Sequence, residues 1–315
     1  MTLHEFAVIE KFFKIIARSG DGVVLGPGDD CALLSVPPGH ELCVSTDTLI
    51  EGVHFPPRSA AALVAQRTVA ANLSDLAAMG AMPFACLLAM TLPSADETWL
   101  AAFSKRLSSL LDAAGLPLVG GNLSRSAPIS LTMTVMGTVP AGSAVRRTGA
   151  RQGDGIFVTG TLGDAREGLG RLLAGDRDGY LAERYANPPS RITVGARLRD
   201  LASAMIDLSD GLAGDIVHIM ECSEVGAEIR MDSLPLSDAL IAQVGQQQAA
   251  RMALFGGDDY ELCFTAPMSR ADAIQAIATE TRTPITRIGR VTDERLHVID
   301  LQGDLVEDLA GYQHF

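Results

Sequence analysis

The stretch Val44-Ser-Thr-Asp-Thr-Leu-Ile-Glu-Gly-Val-His-Phe55 decides how this chain is read. Glu41-Leu-Cys-Val-Ser45 leads into it as a short, mostly apolar run of strand formers. The run then turns to Ser45, Thr46, Asp47 and Thr48, all carrying oxygen, and passes Glu51, Gly52 and His54 before stopping at Pro56-Pro57. A strand end made of carboxylates and hydroxyls offers the hard donors that a divalent cation takes. The same residue types also cap turns at strand ends. The choice between the two readings rests on whether the chain supplies partners of the same kind.

It supplies several. Gly26-Pro-Gly-Asp-Asp-Cys31 is a tight turn presenting Asp29 and Asp30. A helix is predicted over 59–79, closed by Gly80, with Asn72 and Asp75 three apart on one face of an Ala-rich run. A carboxylate buried there without a partner would cost several kcal/mol or take up a proton. Leu116 to Asn122 reads as a strand entering a Gly120-Gly121 turn, which lets a backbone approach a ligand closely. Ala204-Met-Ile-Asp-Leu-Ser-Asp-Gly211 is again a strand ending in oxygen, at Asp207, Ser209 and Asp210. Phe255-Gly-Gly-Asp-Asp-Tyr-Glu261 places Asp258 and Asp259 at the mouth of another strand.

Around these motifs the pattern predicts a helix over 3–18 and a strand over 32–36 that pairs antiparallel with the Glu41–Ser45 strand. Strands over 84–92 and 129–139 and a helix over 96–114 complete the first half. Pro140 to Gly153 is Gly-rich, basic and weakly periodic, and it marks the division into domains 1–145 and 146–315. The second half reads as a strand over 154–160, a loop over 174–190, helices over 191–202, 212–222, 237–244 and 270–278, and strands over 226–231, 252–254, 284–292 and 296–301. Strand and helix alternate irregularly, which favours an α+β fold over a doubly wound sheet.

The formal charge of −13 lacks the basic face that a general nucleic-acid binder needs. The five cysteines are scattered and without C-x-x-C spacing, which fits a reduced, cytoplasmic setting. The start carries no basic region followed by an apolar run, and no apolar stretch approaches a membrane span.

Carboxylates and hydroxyls without His or Cys clusters suit Mg²⁺ and not Zn²⁺. There is no G-x-x-x-x-G-K-[ST], no H-R-D or D-F-G, no G-x-S-x-G and no H-E-x-x-H. Arg147, in the basic linker, is a candidate bidentate donor to a triphosphate or one half of an interdomain ion pair. A phosphoryl acceptor that is itself a phosphate needs no protein base, since its oxygens are ionised at neutral pH. This chemistry points to a Mg²⁺–nucleotide enzyme and leaves the acceptor open.

Gly28-Asp-Asp-Cys-Ala32, Ser45 to Phe55, Asn72-Leu-Ser-Asp-Leu-Ala-Ala-Met-Gly80, Ile206-Asp-Leu-Ser-Asp-Gly211, Gly256-Gly-Asp-Asp-Tyr-Glu-Leu262 and the tail Gly311-Tyr-Gln-His-Phe315 together resemble the thiamine-monophosphate kinase family, in order and over nearly the whole chain. The resemblance implies ATP-dependent conversion of thiamine monophosphate to thiamine diphosphate, the last step of that cofactor's biosynthesis, on the two-domain fold of aminoimidazole ribonucleotide synthetase. That fold has an N-terminal ATP-binding domain with a mixed sheet, a C-terminal α+β domain, and pairing of N-terminal domains into a homodimer. Carried over by residue, Asp30, Ser45, Thr46, Asp47, Asp75, Asn122, Asp207 and Asp210 are the expected ligands of two or more Mg²⁺. Gly121, Asn122, Arg147 and Ser209 are expected nucleotide contacts, and His54, Asp258 and Tyr312 expected contacts to thiamine monophosphate. No residue is expected as a general base. Asn122 stands where the family usually has Asp, and Asp258 where it usually has Glu. Two other readings are another enzyme of this fold, such as aminoimidazole ribonucleotide synthetase, and a nucleotide-binding protein with impaired turnover. The E-G-V-H-F stretch and the aromatic tail speak against the first.

Overall fold

The computed structural model describes residues 4–17 and 20–306. Its chain contacts separate two compact units, 1–76 with 81–142 and 77–80 with 143–315.

The first unit opens with α1 (Glu5–Val8), which passes into a π-turn (Ile9–Phe13) and a 3₁₀ turn (Lys14–Ile16). The single helix expected over 3–18 is thus uneven within the described residues. Its buried side chains, Val8, Phe12 and Ile16, recur every fourth residue, and a wider turn keeps that spacing in line where a 3.6-residue turn lets it drift. Next come β1 (Val23–Leu25), β2 (Leu33–Leu34), β3 (His40–Ile50), α2 (Ala61–Ala78), β4 (Met82–Leu92), α3 (Glu97–Ala114), β5 (Leu118–Arg125) and β6 (Ser130–Pro140).

The main sheet runs β3-β6-β4-β5, with β4 and β5 parallel and the other pairs antiparallel. The expected pairing of 32–36 with Glu41–Ser45 does not occur. All of β3 from His40 to Ile50 is matched to Pro140–Ser130 of β6, and β2 pairs with β1 instead. A long ladder with an equally long partner satisfies more backbone groups than the short local hairpin would.

Ala-rich α2 is buried on nearly every side, with even Arg67, Thr68 and Asn72 fully enclosed. Its Asn72 amide donates to the Thr68 carbonyl. By contrast, α3 is amphipathic and buries Leu100, Phe103, Leu107 and Leu111 at helical spacing. Asp96 caps its start by accepting from the Thr98 and Trp99 amides, and Gly115, in the left-handed region, ends it. Trp99 stacks on Phe103 with centroids 5.0 Å apart.

The second unit contains β7 (Gly155–Thr159), α4 (Asp164–Leu173), α5 (Tyr180–Ala186), α6 (Ile192–Leu198), β8 (Ala204–Leu208), α7 (Leu212–Ser223), β9 (Gly226–Arg230), α8 (Asp238–Val244), α9 (Gln246–Phe255), β10 (Glu261–Ala266), α10 (Ala271–Thr281), β11 (Ile285–Thr292) and β12 (His297–Ile299). Its sheet runs β12-β9-β11-β7-β10-β8, antiparallel but for the β12–β9 pair. Ile156, Val158, Ile206, Leu208, Ile216 and Ile219 lie in its apolar core.

Two expectations are corrected here. The loop over 174–190 contains α5, which buries Leu181, Ala182 and Tyr185. The strand over 252–254 is the end of α9, whose buried Ala249, Ala250, Ala253 and Leu254 follow a helical period. The mixed sheet of the first unit is what the resemblance implies, and strands and helices alternate irregularly along the chain, as expected of an α+β fold. Among the described residues no helix is long and apolar enough to cross a membrane.

Candidate active site

In the second unit, residues far apart in sequence converge on two neighbouring strand ends. β8 and β10 pair so that Asp207 lies opposite Leu262 and Leu208 opposite Glu261. Beyond the ladder, the Asp258 amide donates to the Ser209 carbonyl at 2.8 Å and the Tyr260 amide to the Leu208 carbonyl at 2.8 Å. Asp207, Ser209, Asp210 and Asp258 therefore share one rim. Gly257 permits this closeness, since a Cβ there would stand 2.5 Å from the Ser209 carbonyl oxygen. Asp258 (φ 72°) and Tyr260 (φ 50°) both lie in the left-handed region, at a cost of roughly 1 kcal/mol or more each.

The carboxylate count on this rim is higher than the sequence reading proposed. Asp215, in the first turn of α7, is buried and accepts the Asp210 amide at 3.1 Å. Burial pushes its carboxyl up to about 7, with the nearby charges of Asp207 and Asp210 adding to the rise. A site that already disfavours one more negative charge is one that a divalent cation would relieve. Asp215 was legible only as an acid in the first turn of a helix, where acids are common because they meet the positive end of the helix dipole.

Behind the rim lies a set of buried charges, of which the sequence motifs single out only Asp259. Asp259 accepts from the Gly163 amide at 2.7 Å and the Ala165 amide at 3.4 Å, so it caps the start of α4. Burial pushes its carboxyl up, against the pull of the Gly163 amide and of Arg184. Glu261 is fully buried and receives Arg191 Nε at 2.5 Å, Arg191 Nη2 at 2.7 Å, Arg184 Nη2 at 3.0 Å and the Thr159 hydroxyl at 2.6 Å. Asp164 accepts from Thr161, Ser237 and Tyr180.

The first unit holds the other expected residues, and strand alternation divides them. Ser45 and Asp47 face α2: the Ser45 hydroxyl donates to Asp75 at 2.5 Å, and the Asp47 amide to Asn72 Oδ1 at 3.3 Å. Thr46 takes the opposite face, hydrogen-bonded to Thr134 across the β3–β6 pair. That face opens into a cavity of about 1140 Å³, lined by Asp30, Gly121, Asn122, Leu87, Thr134 and Phe13 among others, at the large end for a small-molecule site. Asp30, Gly121 and Asn122 are thus brought together. Gly121 is required by packing alone, since a Cβ would come within 1.9 Å of the Leu88 carbonyl oxygen.

His54 closes a tight turn after β3, where its Nδ1 accepts the Ile50 amide at 3.0 Å. That bond assigns the ring hydrogen to Nε2, leaving His54 a donor at that atom. The Arg147 side chain is exposed, and its carbonyl accepts the Ser223 hydroxyl at 3.1 Å. Tyr312 lies outside the described residues. No group of three or more His, Cys, Asp or Glu side chains among the described residues stands close enough to hold a metal ion by itself. The oxygen donors at Asp30, Asp47, Asp75, Asp207 and Asp210, with the charge excess around Asp215, are chemically suited to Mg²⁺.

Two family models cover most of the chain: AIR synthase related protein, N-terminal domain, over 28–139, and AIR synthase related protein, C-terminal domain, over 151–301. Thiamine-monophosphate kinase of Escherichia coli is 45% identical over 324 residues, spanning 100% of this chain and 99% of the relative. The chain belongs to the thiamine-monophosphate kinase family. Solved thiamine-monophosphate kinases superimpose on it. The structure from Stenotrophomonas maltophilia has a TM-score of 0.87 and 43% identity, covering 97% of this chain and 99% of that one. The structure of AaThiL complexed with AMPPCP and TMP has a TM-score of 0.79 and 32% identity, covering 100% and 99%. Membership of the thiamine-monophosphate kinase family makes the chain an enzyme on a two-domain α+β fold, in line with the resemblance of its motifs.

Proposed function

We propose that this chain transfers the γ-phosphoryl group of ATP directly to the phosphate of thiamine monophosphate, giving thiamine diphosphate and ADP. The observation that carries this reading is the convergence of Asp207, Ser209, Asp210 and Asp258 on the adjoining ends of β8 and β10. Relatives of this family that share the full length of the chain support it.

Residues 1–145 bind the nucleotide and Mg²⁺, and residues 146–315 complete the site. Gly121 and Asn122 on the wall of the large cavity, with Arg147 and Ser209, contact the nucleotide. Asp30, Ser45, Thr46, Asp47, Asp75, Asn122, Asp207 and Asp210 hold two or more Mg²⁺, which when bound screen the repulsion between two polyanions. The acceptor phosphate is already ionised, so no side chain removes a proton, and no phosphoenzyme forms. His54, as an Nε2–H donor, suits the substrate phosphate. Asp258 suits the cationic and amine-bearing rings of thiamine, which a carboxylate attracts while repelling phosphate. Tyr312 offers a flat face to a cationic ring.

The enzyme acts as a homodimer in the cytoplasm, with neither nucleic acid nor membrane as partner. Exposed Leu42, Val44, Met82 and Leu87 on one sheet face of the first unit support the pairing, and five free cysteines fit a reducing compartment.

The test is to mix the protein with ATP, Mg²⁺ and thiamine monophosphate and quantify both products. Equal amounts of thiamine diphosphate and ADP, lost in Asp47→Ala, are expected. ATP binding without diphosphate formation would overturn the reading.

A further inference from the structure

We propose that Tyr260 is a positioning residue for the transfer, acting through Asp258 in a loop whose backbone is held from behind by Asp259 and Glu261. The inference rests on the reading of Asp258 as a thiamine contact.

The loop 256–260 is anchored at alternate residues. Asp259 is tied to the start of α4 through the Gly163 and Ala165 amides, and Glu261 is locked by Arg184, Arg191 and Thr159. On the rim side, the amides of Asp258 and Tyr260 are tied to the Ser209 and Leu208 carbonyls. With both ends of the segment fixed, Asp258 and Tyr260 are held in left-handed backbone that neither side chain favours. The Tyr260 hydroxyl then donates to Asp258 Oδ1 at 3.3 Å.

A carboxylate on a two-carbon side chain has few ways to be oriented, and a phenol on a pinned backbone is one of them. The bond biases the rotation of the Asp258 carboxyl, and with it the direction in which its oxygens meet a cationic ring. Tyr260 thus acts on how thiamine monophosphate is bound, through Asp258.

The experiment is a double-mutant cycle in the full-length enzyme, with Tyr260→Phe, Asp258→Ala and the pair. Tyr260→Phe removes one hydroxyl and keeps the ring, and circular dichroism confirms the fold of each variant. We expect Tyr260→Phe to raise KM for thiamine monophosphate roughly tenfold, the effect of one hydrogen bond to a charged group. KM for ATP and kcat should stay within about twofold, and Tyr260→Phe should have no further effect on an Asp258→Ala background. An equal effect on both backgrounds would overturn the inference, as would an unchanged KM in Tyr260→Phe while Asp258→Ala raises it. If Asp258→Ala itself leaves KM for thiamine monophosphate unchanged, the reading of Asp258 fails instead, and the inference with it.

Discussion

Asn122 stands on the wall of the large cavity, with its side-chain amide donating to Ser124 at 3.1 Å. Replacing it with Asp adds a negative charge to the donor set proposed for Mg²⁺. Asn122→Asp should therefore lower the Mg²⁺ concentration for half-maximal activity by about threefold to tenfold, read from a Mg²⁺ titration at fixed ATP. The cysteines divide in the same residue-by-residue way. Burial pushes the Cys86 thiol up to about 12 and raises Cys263 further, whereas Cys31 and Cys222 are exposed. The thiolate is the reactive form, and a raised pKa leaves almost none of it at pH 8. A maleimide at pH 8 should label Cys31 and Cys222 in the native protein and reach Cys86 and Cys263 only after unfolding, as peptide mass spectrometry will read. At this scale the sequence was informative about oxygen-bearing strand ends and uninformative about their supports. Asp207 and Asp258 announce themselves by motif. Glu261 looks like one more strand residue until Arg184 and Arg191, more than 65 positions away, are placed beside it.

The elements that carry the rim depend on that buried ion cluster. Truncating Glu261 to Ala would leave two largely enclosed guanidinium groups without their shared carboxylate. A broken buried pair of this kind costs about 3–5 kcal/mol, so Glu261→Ala should lower the urea midpoint of the second unit accordingly, with Glu261→Gln recovering part of the loss. The elements that were misread have a common cause. Met252-Ala-Leu254 is too short an apolar run to tell a buried helix from a strand, and only the preceding Gln246–Arg251 stretch tips it towards α9. The partner of β3 was illegible because β6 begins 80 residues after β3 ends, and local alternation says nothing about which distant strand matches it.

At the scale of the molecule, the first unit's sheet presents Val44 59% exposed and Leu87 37% exposed on one face, with Leu42 and Met82 nearby in the same register. A row of apolar side chains in water is what a second copy would cover. Sedimentation should give a dimer for the native chain and a monomer for Val44→Lys combined with Leu87→Glu, with a folded circular dichroism spectrum retained. A native chain that sediments as a monomer at tens of micromolar would rule out that pairing. The stacking of Trp99 on Phe103 has an optical meaning as well. Trp99 is the chain's one tryptophan and sits in the first unit. Light absorbed at 295 nm and re-emitted therefore reports on that unit, while the loop bearing Asp258 stays dark. If the two units melt apart, the emission and the far-ultraviolet circular dichroism will trace different denaturation curves, and a tryptophan introduced into the second unit would be needed to watch that unit directly.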